Sequence, residues 1–257
     1  MSDPQLDRPP VVEVYIQPPP ASALNGAAVI VLDIFRATTV HAALFSGGAS
    51  AVYPVEDFTA GVALRDALPG SRLIGEVGAL PPPEADFGNS PTEFDAMDLT
   101  DWTVVHVTSN GTRALVGASQ ADLVHSGCLR NMSAGIRQVL AQRPPRVAVV
   151  CSGDHGGTAP SVEDTFAAGA YVTAIKRIEP ESVLKGGARL ALKLYHAYGR
   201  SPSRAFADSP HGDHLQKLGF QADFKYAGDI DADSTVIELG ADDSGRPVLK
   251  RVPALLH

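Results

Sequence analysis

Three stretches of this sequence set carboxylates or hydrogen-bond donors at the end of an apolar run, where they would hold a tetrahedral anion or a hard cation. In the first, Asp33 follows Ala28-Val-Ile-Val-Leu32 and precedes Arg36, Thr38 and Thr39. A carboxylate at a strand end suits a hard cation or general-base work. A guanidinium and two hydroxyls at a helix start suit a phosphate or another oxyanion. The plainer alternative is that Asp33 caps the helix and Arg36 is solvated. The second stretch, Thr108-Ser109-Asn110-Gly111-Thr112-Arg113, follows Thr103–Val107. Asn110 and Gly111 tolerate unusual dihedrals, which predicts a nest of inward N–H groups ringed by three hydroxyls and a guanidinium. A Gly-containing turn with an N-capping hydroxyl competes with that reading. In the third, Arg146–Val150 runs into Cys151-Ser-Gly-Asp154, and Ser161-Val-Glu163-Asp164 opens a helical stretch. Ser161 and Asp164 have capping-box-like spacing, so these acids serve either a helix start or a metal. Glu76, in Leu73-Ile-Gly-Glu76, and Asp86 are the remaining acid candidates.

Carboxylates beside anion-binding turns describe phosphoryl chemistry with Mg²⁺, which is typically held through only one or two protein carboxylates. Other phosphatase signatures are missing. Asp33-Ile-Phe has no second aspartate two positions on, and Gly157 stands six residues after Cys151, where a cysteine-dependent phosphatase needs arginine. The G-x-x-x-x-G-K-[ST] loop is absent as well. Attack by water activated at a metal is the simplest mechanism left. Asp33 and Asp164 are then the leading metal carboxylates, with Glu76 next. Arg36, Thr38, Thr39, Asn110, Gly111, Thr112 and Arg113 would cradle the phosphoryl group. Glu163 would orient or deprotonate the water, and His211 would protonate the leaving alkoxide. A non-catalytic binder of a small anion would keep the same turns but would not need several acids around them.

The elements that position these groups read as βαβ units. Short β-branched runs alternate with helical stretches, the polar turns falling after each strand. This predicts an α/β fold with a mainly parallel sheet in three α/β/α layers, ligands meeting at its carboxyl edge. One domain over 1–257 is expected, with lobes at about 11–125 and 126–257 as a subdivision. Residues 1–10 read as an irregular lead-in. After Lys176 the pattern is mostly helical (Glu181–Lys185, Ala188–Tyr198, Asp213–Leu218), ending in strands at Thr235–Leu239 and Val248–Val252. The formal charge of −8 comes without a basic block, which argues against nucleic acid as a partner. No apolar run approaches the roughly 18–20 residues of a membrane span. Met1–Arg8 lacks a signal-peptide layout, so a cytoplasmic protein is expected. Cys128 and Cys151 have no metal-ligand spacing and suggest no disulfide framework.

Taken together these segments resemble the 2-phosphosulfolactate phosphatase family. The likeness rests on Val-Leu-Asp33-Ile-Phe-Arg36-Ala-Thr38-Thr39, Gly75-Glu76, Asp86-Phe-Gly88-Asn89-Ser90-Pro91 and Thr108-Ser-Asn110-Gly111-Thr112-Arg113. It continues through Val150-Cys151-Ser-Gly153, Ser161-Val-Glu163-Asp164 and His211-Gly212, in the family's order. The resemblance implies Mg²⁺-dependent hydrolysis of 2-phospho-3-sulfolactate, a small anionic substrate, with Asn89 and Ser90 joining the substrate-binding set. It also implies a homodimer, and its archaeal setting is coenzyme M biosynthesis. One position departs: Val77 follows Glu76, where the family commonly carries arginine.

Overall fold

The computed structural model describes residues 8–254, so most of the expected lead-in, positions 1–7, lies outside the described residues. Ten strands form one sheet: β1 (Val11–Tyr15), β2 (Ala28–Leu32), β3 (Ala51–Val55), β4 (Arg72–Gly75), β5 (Thr103–Val107), β6 (Leu123–Gly127), β7 (Arg146–Cys151), β8 (Val183–Gly186), β9 (Val236–Ala241) and β10 (Pro247–Val252). Their order is β4-β5-β3-β10-β9-β6-β2-β7-β1-β8. Ten helices complete the α/β/α layers: α1 (Ala37–Ser46), α2 (Phe58–Ala67), α3 (Pro91–Phe94), α4 (Gly111–Ala118), α5 (Met132–Ala141), α6 (Val162–Ile178), α7 (Ala188–Ala197), α8 (Pro202–Ala207), α9 (Pro210–Lys217) and α10 (Gln221–Gly228).

The sheet is two parallel blocks joined by a hairpin. β4, β5 and β3 are mutually parallel, as are β6, β2, β7, β1 and β8. Between them β9 and β10 pair antiparallel with each other and with their outer neighbours, β6 and β3. Three successive reversals set the two blocks running in opposite senses, so a flat sheet would put their carboxyl ends on opposite edges. Helix α1 shows how they meet. It is buried from Ala37 to Phe45, with no polar face, as expected of a helix enclosed on all sides. His41 of α1 contacts Ser126 on β6 and His106 on β5. Those strands lie four places apart, roughly 19 Å in a flat sheet. The sheet therefore curls around α1, bringing the end of β5 to the end of β2.

One segment differs from expectation. Glu181–Lys185 is not helical: Val183–Gly186 forms the edge strand β8, in register with Val11–Val14 of β1. The open edge of β1 and a stop at Gly186-Gly187 outweigh the weak helical spacing of so short a run. Strand pairing crosses between the lobes, since β1 and β2 from the first pair with β7 from the second.

Candidate active site

The turns after β2, β5 and β7 surround one cavity of about 450 Å³, together with the loop after β4 and the start of α9. Asp33 is its deepest acid. The Ala37 N–H donates to Oδ1 at 3.2 Å and the Ser152 hydroxyl also favours the charged form, while Oδ2 lies against Gly111. Two helix N-termini, of α1 and α4, abut this carboxylate, where their partial positive charge favours an anion. Gly111 shows how close the approach is. It opens α4 with a negative φ, and a Cβ there would overlap the Asp33 carboxylate and the Ala37 methyl. The expected nest is thus replaced by a helix start, and glycine is required by contact rather than by dihedral angle.

The turns are laced together by side chains sent from one to the next. Asp164 accepts the Ile34 N–H at 2.8 Å on one oxygen, and the Ser152 hydroxyl and Gly153 N–H on the other. Asn110 Oδ1 accepts the Gly156 N–H at 2.8 Å. Glu76 accepts the Ala79 and Ser109 N–H groups, both at 2.8 Å. Glu163 accepts the Ser209 hydroxyl at 2.7 Å, and Ser209 caps α9 by accepting the Gly212 N–H. Glu163 therefore anchors the helix that brings His211 and His214 to the cavity.

Of the residues singled out in the sequence, Asp33, Arg36, Glu76, Asn89, Asn110 and His211 line the cavity. Glu163 and Asp164 lie just behind the wall, each 2% exposed. The hydroxyls of Thr38 and Thr39 donate to the Asp33 and Ile34 carbonyls, and the Thr112 hydroxyl donates to the Thr108 carbonyl, so all three are spent on their own turns. Ser90 donates to Asp223 at 2.6 Å. Arg113 is exposed and reaches the Glu56 carbonyl. Arg36 is not solvated but pairs with Asp223 of α10 at 3.0 Å, donates to the Ala79 carbonyl and stacks on Phe220. Cys151 is buried and its thiol is pushed well above the ordinary range, so it stays protonated.

Sequence reasoning missed Asp154, His155 and His214, which also line the cavity, and Asp223, which holds Arg36. The signal for Asp154 was present: it follows β7 as Asp33 follows β2.

The electrostatics are those of an acid cluster short of cations. Burial raises the Asp33 carboxyl to about 7, and Glu76 and Asp154 push it the same way. Burial likewise raises Glu163 to about 7, and Asp164 well above the carboxylate range. His211 is held below its ordinary value by burial, opposed by Asp154 at 4.0 Å. No group of three or more His, Cys, Asp or Glu among the described residues forms a ready metal cage. Mg²⁺ does not ask for one, because it keeps several waters and borrows substrate oxygens. The Asp33 carboxylate, which lines the cavity with Glu76 and Asp154, fits such a cation.

Curled sheet, converging turns and acid-lined cavity define an α/β protein with a cavity where strand-end turns and two helix N-termini converge. The chain belongs to the 2-phosphosulpholactate phosphatase family, matching it over residues 16–242; its members are hydrolases of phosphate monoesters. Among its relatives, a Deinococcus radiodurans protein is 34% identical over 78% of this chain and 82% of its own. A Thermus thermophilus protein is 33% identical over 79% and 83%, and a Carboxydothermus hydrogenoformans protein 30% identical over 93% and 97%. All three carry the name "Probable 2-phosphosulfolactate phosphatase".

Proposed function

We propose that the protein hydrolyses a small 2-phospho acid, 2-phospho-3-sulfolactate first among them, with Mg²⁺ held at Asp33 and supported by Glu76 and Asp154. The observation that carries this is the set of three acids, Asp33, Glu76 and Asp154, lining one cavity at the junction of three anion-suited turns, in a chain of this family. Asp154 replaces Asp164 in the ligand set because Asp154, like Glu76, lines the cavity, whereas Asp164 lies behind its wall. Bound there, the metal would neutralise phosphoryl oxygens and lower the pKa of water.

The chain's own residues do the rest. The N-termini of α1 and α4 and the Asn89 and Asn110 side chains bind and orient the phosphoryl oxygens. Arg36, neutralised by Asp223, shapes this wall rather than supplying a free charge. His211 holds the proton for the leaving alkoxide, its Nδ1 facing Asp154. A dianionic substrate would raise its pKa and so load that proton. His214 would meet the second anionic group; no arginine other than Arg36 lines the cavity among the described residues.

No helix among the described residues is long and apolar enough to cross a membrane. A cytoplasmic setting and a homodimer belong to the same proposal.

The test is phosphate release from 2-phospho-3-sulfolactate and from phospholactate, with Mg²⁺ and with chelator. Release from the sulfonate only with metal is expected. Preference for phospholactate would move the substrate. Undiminished binding of either anion in chelator, without turnover, would replace the enzyme by a binding protein.

A further inference from the structure

We propose that His106 and His41 are positioning residues that hold Asn89 with its amide NH₂ turned to the cavity, the direction being set by Ser126 on the far side of α1. The proposal deepens the phosphate-ester reading and rests on it for the identity of the ligand.

Four side chains form one buried file from cavity wall to core. Ser126 Oγ lies 2.8 Å from His41 Nδ1, His41 Nε2 lies 2.9 Å from His106 Nδ1, and His106 Nε2 lies 2.9 Å from Asn89 Oδ1. Both imidazoles are fully buried, Ser126 is 1% exposed and Asn89 is 4% exposed. Burial holds both histidines neutral, far below their ordinary range. Each ring then carries one proton, and each nitrogen either donates or accepts.

Two arrangements satisfy the contacts between rings. In one, Ser126 donates to His41, His41 to His106 and His106 to the Asn89 oxygen. In the other every donor is reversed and the Asn89 amide is turned over, its nitrogen donating to His106. The two ends of an amide are told apart only by such a network. Here the hydroxyl decides. His41 is the sole partner of Ser126 Oγ among the described residues. In the reversed arrangement Ser126 accepts from His41, and its own O–H proton is left buried without an acceptor, which folded proteins avoid. The forward arrangement leaves nothing unmet: Ser126 O–H to His41 Nδ1, His41 Nε2–H to His106 Nδ1, His106 Nε2–H to Asn89 Oδ1.

The consequence reaches the cavity. With its oxygen occupied, Asn89 offers only its two amide protons there, and that nitrogen has no protein partner among the described residues. The wall therefore selects an acceptor, an oxygen of a phosphoryl, sulfonate or carboxylate group, in a cavity otherwise rich in acids. Turning the amide over would require both imidazoles to change tautomer together, so the donor is pre-set rather than adaptable.

Nitrogen NMR of histidine-labelled protein tests the order directly. His41 and His106 should both be neutral with the proton on Nε2. A proton on Nδ1 of either ring, or a charged ring, would overturn the proposal. Titration calorimetry with inorganic phosphate tests the consequence. Asn89→Asp should weaken binding by about 10- to 100-fold. His106→Leu should also weaken it in the wild-type background, yet cause no further loss in Asn89→Ala, because it acts through that amide. Equal losses in both backgrounds would mark His106 as merely structural and overturn the proposal. Should His106→Leu not fold, His106→Gln keeps a donor for Asn89 and should hold affinity within about threefold; a loss as large as that of Asn89→Ala would count against the proposal. Tautomers and phosphate binding are read without turnover. A protein with this polarity that releases no phosphate from esters would overturn the phosphatase reading alone.

Discussion

The acid turn at Asp33 and the histidine file through His41 are both buried and both titratable, and burial drives them in opposite directions. Asp33 and Glu163 are raised to about 7, whereas His41 is lowered to about 3. In each case the neutral form is favoured, because low polarity penalises charge of either sign. The difference lies in what each can meet. From Ser126 to the Asn89 oxygen the histidine file is closed, each ring nitrogen answered by a neighbour. The acid turn opens on a cavity that it shares with two further acids, Glu76 and Asp154. A sealed network of neutral groups is positioning structure. A buried acid on a cavity is a place where the proposed cation would restore a charge the fold suppresses.

The sharpest way to break this contrast is Asp33→Asn. The amide keeps an oxygen for the Ala37 N–H but removes the charge. Turnover should fall by about 100- to 1000-fold or more, measured as phosphate release. Stability in chelator should move the other way. A carboxyl raised to about 7 stabilises the native state below its unfolded value near 3.8 and loses that contribution as pH rises to 7. The asparagine variant should therefore gain on the wild type between pH 4 and 7, by about 1–3 kcal/mol at pH 8 in denaturant melts. Unchanged activity would remove Asp33 from the metal site; unchanged stability would mean the acid is not strained.

Arg36 supplies the intermediate case, a buried charge answered by one partner. Asp223→Ala should destabilise the protein by about 3–5 kcal/mol, because it strands the guanidinium under Phe220. Thermal melts would show it. A loss below 1 kcal/mol would mean that the Ala79 carbonyl alone satisfies Arg36.

How much of this was legible in the sequence follows from the range of each interaction. The strand–turn–helix units were readable because alternation and turn chemistry are local, and the three polar turns stood out for the same reason. Which side chains face the cavity was not readable. Thr38, Thr39 and Thr112 looked like ligand donors, but a threonine hydroxyl near a helix start can also bond back to its own turn. Whether Arg36 is free or paired depends on Asp223, 187 positions away. Strand order depended on the β9–β10 hairpin, which reverses one parallel block against the other and has no local sign. His106 inside Thr103–Val107 and His41 inside the Val40–Phe45 stretch were visible anomalies. A polar residue in a buried run needs a partner, and pairing such anomalies with each other is the inference the sequence allowed.

Acid unfolding separates the two networks next. His41, His106 and His125 are all held uncharged by burial, against an ordinary value of 6.5. Below pH 6.5 the unfolded chain takes up their protons and the native state does not. Stability should therefore fall on acidification, by up to about 1.4 kcal/mol per pH unit for each histidine. The raised carboxyls work against this slope, since their contribution grows as pH falls. Replacing His41 by leucine should flatten the histidine slope between pH 6.5 and 4.5 while lowering stability at pH 7, because His106 and Ser126 lose their partner. A slope as steep as that of the wild type would mean that His41 is charged in the native state.

His125 makes the smallest and cleanest test, because it belongs to neither network. It sits on β6, 1% exposed, with neither ring nitrogen hydrogen-bonded among the described residues; Glu238 Oε1, its cross-strand neighbour, is 3.6 Å away. Burial lowers it to about 4. If it is an uncharged ring in an apolar slot, His125→Leu removes two unmet polar atoms at similar volume. The variant should then be neutral to about 1 kcal/mol more stable at pH 7. Relative to the wild type, its advantage should grow from pH 6.5 down to 4, because one proton fewer is taken up on unfolding. If His125 is instead an imidazolium paired with Glu238, the substitution strands a half-buried carboxylate. It then destabilises the protein at pH 7, and the two curves run parallel on acidification. The first outcome extends to a lone histidine the rule drawn from the file beneath Asn89, that burial without a cavity keeps the ring neutral; the second would confine that rule to networks whose hydrogen bonds are closed.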